Sequence, residues 1–170
     1  FKDPETRRHP NLKTTVEATD VLLEKKVKDL FQDSKVLSET ELLSRANIKY
    51  ERYANQAIID SKTRSHRARK QYLPSINKYL GKLADEIKDL KEADIPVPFT
   101  TFDTAKKISA LLEEAGKATN ALDDLLEEAK NFHGRDLAIF SRDHLLPARH
   151  ALRSPIDQLE LLVSKEDWPV

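Results

Sequence analysis

Between positions 73 and 90 the apolar residues Leu73, Ile76, Leu80, Leu83, Ile87 and Leu90 return at alternating steps of three and four. That repeat puts all six on one face of a helix, whereas a strand would scatter them over both faces, so the seam can be sealed from water by laying the helix along other helices. A similar series runs upstream through Leu43, Ala46, Tyr50, Tyr53, Ala57 and Ser61. Pro74 lies between the two sets. A proline inside a helix removes one hydrogen bond and meets the carbonyl four residues earlier, so one long helix with a kink is expected there.

The remaining elements follow from local signals. Ser38 and Glu41 have the spacing of a capping box, which starts the long helix. Before it, Thr19 is a candidate N-cap for a first helix over 20–31, with Val21, Leu22, Val27, Leu30 and Phe31 on its buried side. Residues 1–13, with Pro4 and Pro10, read as an extended lead-in. Pro96 and Pro98 place a loop over 93–102. A third helix is expected from Thr101 or Asp103 to Phe132, burying Ala105, Ile108, Leu112, Ala115, Leu122, Leu126 and Ala129, with Gly134 as its left-handed cap. A fourth, over 135–164, would bury Leu137, Phe140, Leu145, Leu152, Ile156, Leu159 and Val163, with Pro147 and Pro155 bending or dividing it. The fold expected is all-α, an antiparallel bundle of about four long helices in a single domain. In it the stretch 39–72 overhangs, covered by the first helix.

Composition agrees with rods instead of sheets: 3 glycines and 6% aromatics stand in 170 residues. The 29 basic and 29 acidic residues cancel, which favours neither nucleic acid nor a membrane surface as partner. Up to Lys91 there are 20 Lys and Arg against 14 Asp and Glu, and the remaining 9 against 15 reverse the sign, so the two halves can neutralise each other. Without cysteine, disulfide and thiolate chemistry are excluded. No apolar run reaches the length of a membrane span, and a soluble, cytoplasmic protein is expected. Phe1 opens a sequence that has no methionine, which points to a piece of a longer chain.

No catalytic constellation is complete. His9, His66, His133, His144 and His150 lack the spacing of a metal site and read as solvated or capping groups. Glu113, Glu114, Asp123, Asp124, Glu127 and Glu128 fall on the polar face of the third helix, where water would leave their acidities unmoved. Gly81, Gly116 and Gly134 form no phosphate loop. Lys62, Arg64, His66, Arg67, Arg69 and Lys70 make a basic cluster able to meet phosphates or an acidic surface, but they are spread around the helix, which argues against nucleic acid.

Residues 41–79 resemble the C-terminal region of type III glutamine synthetases. That family carries, in order on one long helix, a Glu-Leu, a Ser-Arg, a Glu and Tyr, an Ile-Glu and an Ile-Pro. Here the places are taken by Glu41 and Leu42, Ser44 and Arg45, Glu51 and Tyr53, Ile59 and Asp60, and Leu73 and Pro74. Its ending is similar to Pro147 and Ala148, Leu152 and Arg153, Asp157, Leu159 and Glu160, and Trp168 and Pro169. Arg64, Arg67 and Arg149 depart from it, standing where the family tends to carry apolar residues, often methionine. A guanidinium buried at such a place would need a carboxylate partner.

The resemblance implies a parent enzyme that condenses glutamate and ammonia at the expense of ATP, with Mg2+ or Mn2+, as a homo-oligomer. It implies no catalytic, cofactor or metal residue within these 170, so the fragment alone is expected to be inactive. The role expected is an accessory C-terminal domain that packs on the catalytic region of the same chain. Tyr50, Tyr53, Ala57, Arg64 and Arg67 are the candidate interdomain or subunit contacts, the first three as half-covered positions on the overhang. The alternative is a stand-alone helical adaptor holding a protein partner.

Overall fold

A computed structural model describes residues 11–169, so most of the lead-in, and His9 with it, lie outside the described residues. The described chain is all-helical, without a strand. Its α-helices are α1 (Thr15–Leu22), α2 (Lys25–Asp33), α3 (Glu39–Arg67), α4 (Leu73–Glu92), α5 (Phe99–Glu128), α6 (Gly134–Phe140) and α7 (Leu146–Glu160). They form two compact units, one from residues 11–59 and 128–144, the other from 60–127 and 145–169.

In the first unit the expected single helix is two. Thr14, not Thr19, is the N-cap, its hydroxyl accepting from the Glu17 N–H at 3.3 Å. Thr19 lies buried inside α1 and donates to the Thr15 carbonyl at 2.7 Å. The chain turns at Leu23 and restarts at Lys25, and α2 buries none of its residues; Leu30, expected inside, is 63% exposed. Lys35, at φ 51°, closes α2 with the Val36 N–H on the Phe31 carbonyl, a left-handed stop built without glycine. The capping box then forms as expected: the Ser38 N–H donates to Glu41 Oε2 at 2.8 Å, and the Glu41 N–H to Ser38 Oγ at 3.3 Å. The Ser38 N–H, and with it the Ser38 hydroxyl donating to the same oxygen at 2.7 Å, hold the Glu41 carboxyl below its usual range. The buried stripe of α3 begins at Leu42, with Leu43 outside, and the core joins Val16, Ala46, Tyr50, Ala54 and Ala138. Three alanines in that set let helix backbones come close around one large ring.

The second unit is an up-down-up arrangement. Ser65 donates to Asp123 and Arg69 to Asn120, a descending match that runs α5 antiparallel to α3. Arg149 meets Asp60 and Trp168 meets Tyr72, an ascending match that brings the C-terminal segment back parallel. Ile76 and Leu83 of the seam, Ile108 and Leu122 of α5, and Leu145, Leu152 and Leu159 are buried, each contributing roughly 1.5–3 kcal/mol of transfer free energy. Ala105 and Leu112 are half-buried.

The kink at Pro74 takes a definite form. Ala68–Tyr72 is a π-turn in which the Leu73 N–H reaches back five residues to the Ala68 carbonyl. The widened turn leaves room for the ring of Pro74, the second residue of α4. The same device, Ser141–Leu145, precedes Pro147, the second residue of α7, so the expected fourth helix is divided there and ends at Glu160. Pro155 stays inside α7. Helix α5 starts at Phe99, earlier than expected, because Pro98 itself supplies the first acceptor, for the Phe102 N–H. It passes into a short 3-10 turn, Ala129–Asn131. Gly134 does take φ 55°, but after two extended residues and as the first residue of α6.

Candidate functional site

Tyr50, on α3, is 1% exposed and Ala57 is buried as well, so these two are not the half-covered positions expected; Tyr53 is half-buried. The Tyr50 hydroxyl donates to Asp20 of α1, and Arg135 of α6 holds the same carboxylate with two bonds of 2.8 Å. The forked guanidinium keeps Asp20 below the usual carboxylate range, helped by the Tyr50 hydroxyl. Burial, and then the bond to Asp20, push the Tyr50 hydroxyl up to about 12. Three helices are thereby tied by one network whose members lie 30 and 115 residues apart in sequence.

In the same unit Leu22, Phe31, Leu37, Leu42 and Ile48 line an apolar cleft of about 620 Å³, edged by Arg45 and Lys49. Sequence reasoning did not find it. Ile48 lies off the buried stripe of α3, and period alone gives no reason to expect an apolar residue there.

The basic cluster disperses, as its spread around the helix implied. Arg69 donates through Nε to Asp123 at 2.7 Å and reaches Asn120 at 2.8 Å. Lys62, His66 and Lys70 are exposed. Arg64 and Arg67 instead face a second cleft, of about 520 Å³, and there they meet Arg149 and Arg153 of α7. The three departures from the family pattern thus converge on one cavity. Arg149 is 13% exposed and pairs with Asp60 at 3.4 Å, and Arg153 pairs with Asp157 at 2.9 Å.

Asp123 corrects the solvated reading of the acidic face of α5, since Ser65 and Arg69 both donate to it. Glu113 is exposed as expected, but its acidity does not stay unmoved, because a bond from Lys117 lowers its pKa. His144 rests on Phe140 with ring centres 4.7 Å apart, and His66, His133 and His150 are exposed. Among the described residues no three His, Asp or Glu side chains gather as a metal site, and no helix is long and apolar enough to cross a membrane.

The two stretches that carry the resemblance meet in the second unit. Tyr72 stacks on Trp168 at 5.3 Å, and Lys82 holds Asp167 at 2.6 Å beside it. Residues 2–91, more than half of the chain, match the family described as the glutamine synthetase C-terminal domain, and the chain belongs to that family. Within it the likeness is to the type III enzymes: over 167 residues, 94% of this chain, it is 26% identical to the type-3 glutamine synthetase of Dictyostelium discoideum. The chain spans 23% of that relative's length. No solved structure matches it.

Proposed function

We propose that this domain serves assembly and stability in a longer, cytoplasmic glutamine synthetase, with the ligase chemistry, its ATP and its divalent metal held by a catalytic region elsewhere in the parent. The observation that carries the reading is the apolar cleft of the first unit, together with Leu30, Val36, Leu43 and Ile48, which stand 40% or more exposed. Large apolar side chains left in water on the part of this unit that lies within the family match mark a surface meant for a neighbour. The catalytic region of the same chain or a second subunit would fill the cleft with apolar side chains, and Arg45 and Lys49 suit an acidic rim around them.

The purified chain, incubated with glutamate, ammonia, ATP and Mg2+ or Mn2+, is expected to form no glutamine. Measurable synthesis would overturn the division of roles. In the parent, Ile48→Asp is expected to weaken assembly, read by sedimentation. An unchanged sedimentation profile would remove the cleft from the interface.

A further inference from the structure

The second cleft carries more positive charge than its own carboxylates can balance. Four guanidinium groups, Arg64, Arg67, Arg149 and Arg153, face it with two carboxylates, Asp60 and Asp157. Arg149 is taken by Asp60 and Arg153 by Asp157. Arg64 and Arg67 form an ion pair with no carboxylate among the described residues. One turn apart on the same helix face, they repel each other unless an anion lies between them.

Arg67 is also held in place. Its Nε donates to Gln71 at 3.3 Å, and its guanidinium carbon sits 5.3 Å from the centre of the Tyr72 ring, which Trp168 backs. Fixing the group beforehand lowers the entropy lost when a ligand binds. Its terminal nitrogens, and every side-chain nitrogen of Arg64, make no hydrogen bond to the described residues. The floor of the cleft is apolar, from Ala68, Leu152 and Ile156.

We propose that this cleft binds a compact dianion, a phosphate or a dicarboxylate of small-molecule size, gripped by Arg64 and Arg67 with its carbon part against the apolar floor. A guanidinium fork meets either oxyanion with two parallel hydrogen bonds, and a cavity of about 520 Å³ is the size of a small-molecule site. The proposal does not depend on the assembly role.

The test is calorimetric titration of the 170-residue chain at low ionic strength with inorganic phosphate, pyrophosphate and succinate in turn. Binding of the first two assigns the site to phosphoryl ligands and binding of succinate to dicarboxylates, and either supports it. Arg64→Ala and Arg67→Ala, each checked for unchanged helical circular dichroism, should weaken binding at least about tenfold. Arg67→Lys, which keeps the charge and loses the fork, should fall between. Arg69→Ala, whose side chain is engaged by Asp123, should bind as the parent does. No heat from any of the three anions at concentrations up to about 10 mM, or equal weakening by Arg69→Ala, would overturn the proposal.

Discussion

Replacing Tyr50 by Phe removes one hydroxyl from the network that ties α1, α3 and α6, and its effect should change with pH in a way few substitutions share. A hydrogen bond to a charged group contributes about 1.5–3 kcal/mol. Asp20 keeps both bonds from Arg135 when the hydroxyl is lost and is itself partly open to water, so the low end applies: about 1.5 kcal/mol near pH 8. In a chain of this length that lowers Tm by roughly 3–6 °C. The hydroxyl ionises at about 12 in the folded chain, against 10 for an ordinary tyrosine. Its contribution is therefore whole below pH 10 and declines as pH rises toward 12, because the unfolded chain loses that proton first. At pH 11 the wild type should have given up roughly 1.4 kcal/mol on this account, while the Phe variant gives up none. The two proteins should then be nearly equal in stability. The assay is urea unfolding followed at 222 nm at pH 8 and pH 11, with tyrosinate absorbance at 295 nm as a second readout. A gap between the proteins that stays constant with pH, or four tyrosines that ionise together near 10, would mean that burial and Asp20 do not hold the Tyr50 proton.

Asp20 makes the mirror-image prediction: its lowered pKa contributes stability above the ordinary carboxylate range that disappears as pH falls below about 4, and Arg135→Ala should flatten that acid limb. Water reaches both side chains, so urea titrations between pH 5 and 2.5 should show a difference under about 1 kcal/mol. Ile76→Ala, at a fully buried seam position, should cost about 2–5 kcal/mol by thermal melting, and a cost under 1 would mean that the seam is not the core of the second unit. Ser38→Ala removes the cap of α3 and should cost about 1 kcal/mol, with faster amide exchange confined to the first turn of that helix.

Signals that act across three or four residues were readable in the sequence. The Ser38 and Glu41 box, the seam from Leu73 to Leu90 and the bend at Pro74 needed nothing but local spacing. What failed were competitions between equals. Thr14 and Thr19 are both capping residues, and the choice fell to the one whose hydroxyl is not already bonded inside a helix. Leu42 and Leu43 are adjacent leucines, and only the angle of α3 in its unit decides which is inside. Lys35 and Asp94 adopt left-handed geometry where a search for glycine sees no signal. The form of the bends was hidden too, since a proline announces a missing donor but not the five-residue turn that absorbs it. The arginine cleft lay further from view. Arg64, Arg67 and Arg149 were legible as departures from a family pattern, yet nothing in their spacing joins residues on α3 to one on α7. Local spacing does not show that Tyr50 is buried, because its cover, Asp20 and Arg135, comes from distant segments.

The role proposed for these helices is to hold the parent enzyme together and leave the reaction to others. It is tested most directly by sedimentation velocity and glutamine synthesis on the parent synthetase, intact and with this domain deleted. A smaller, less stable assembly that still forms some glutamine is the predicted result. An assembly of unchanged mass and thermal stability would contradict it.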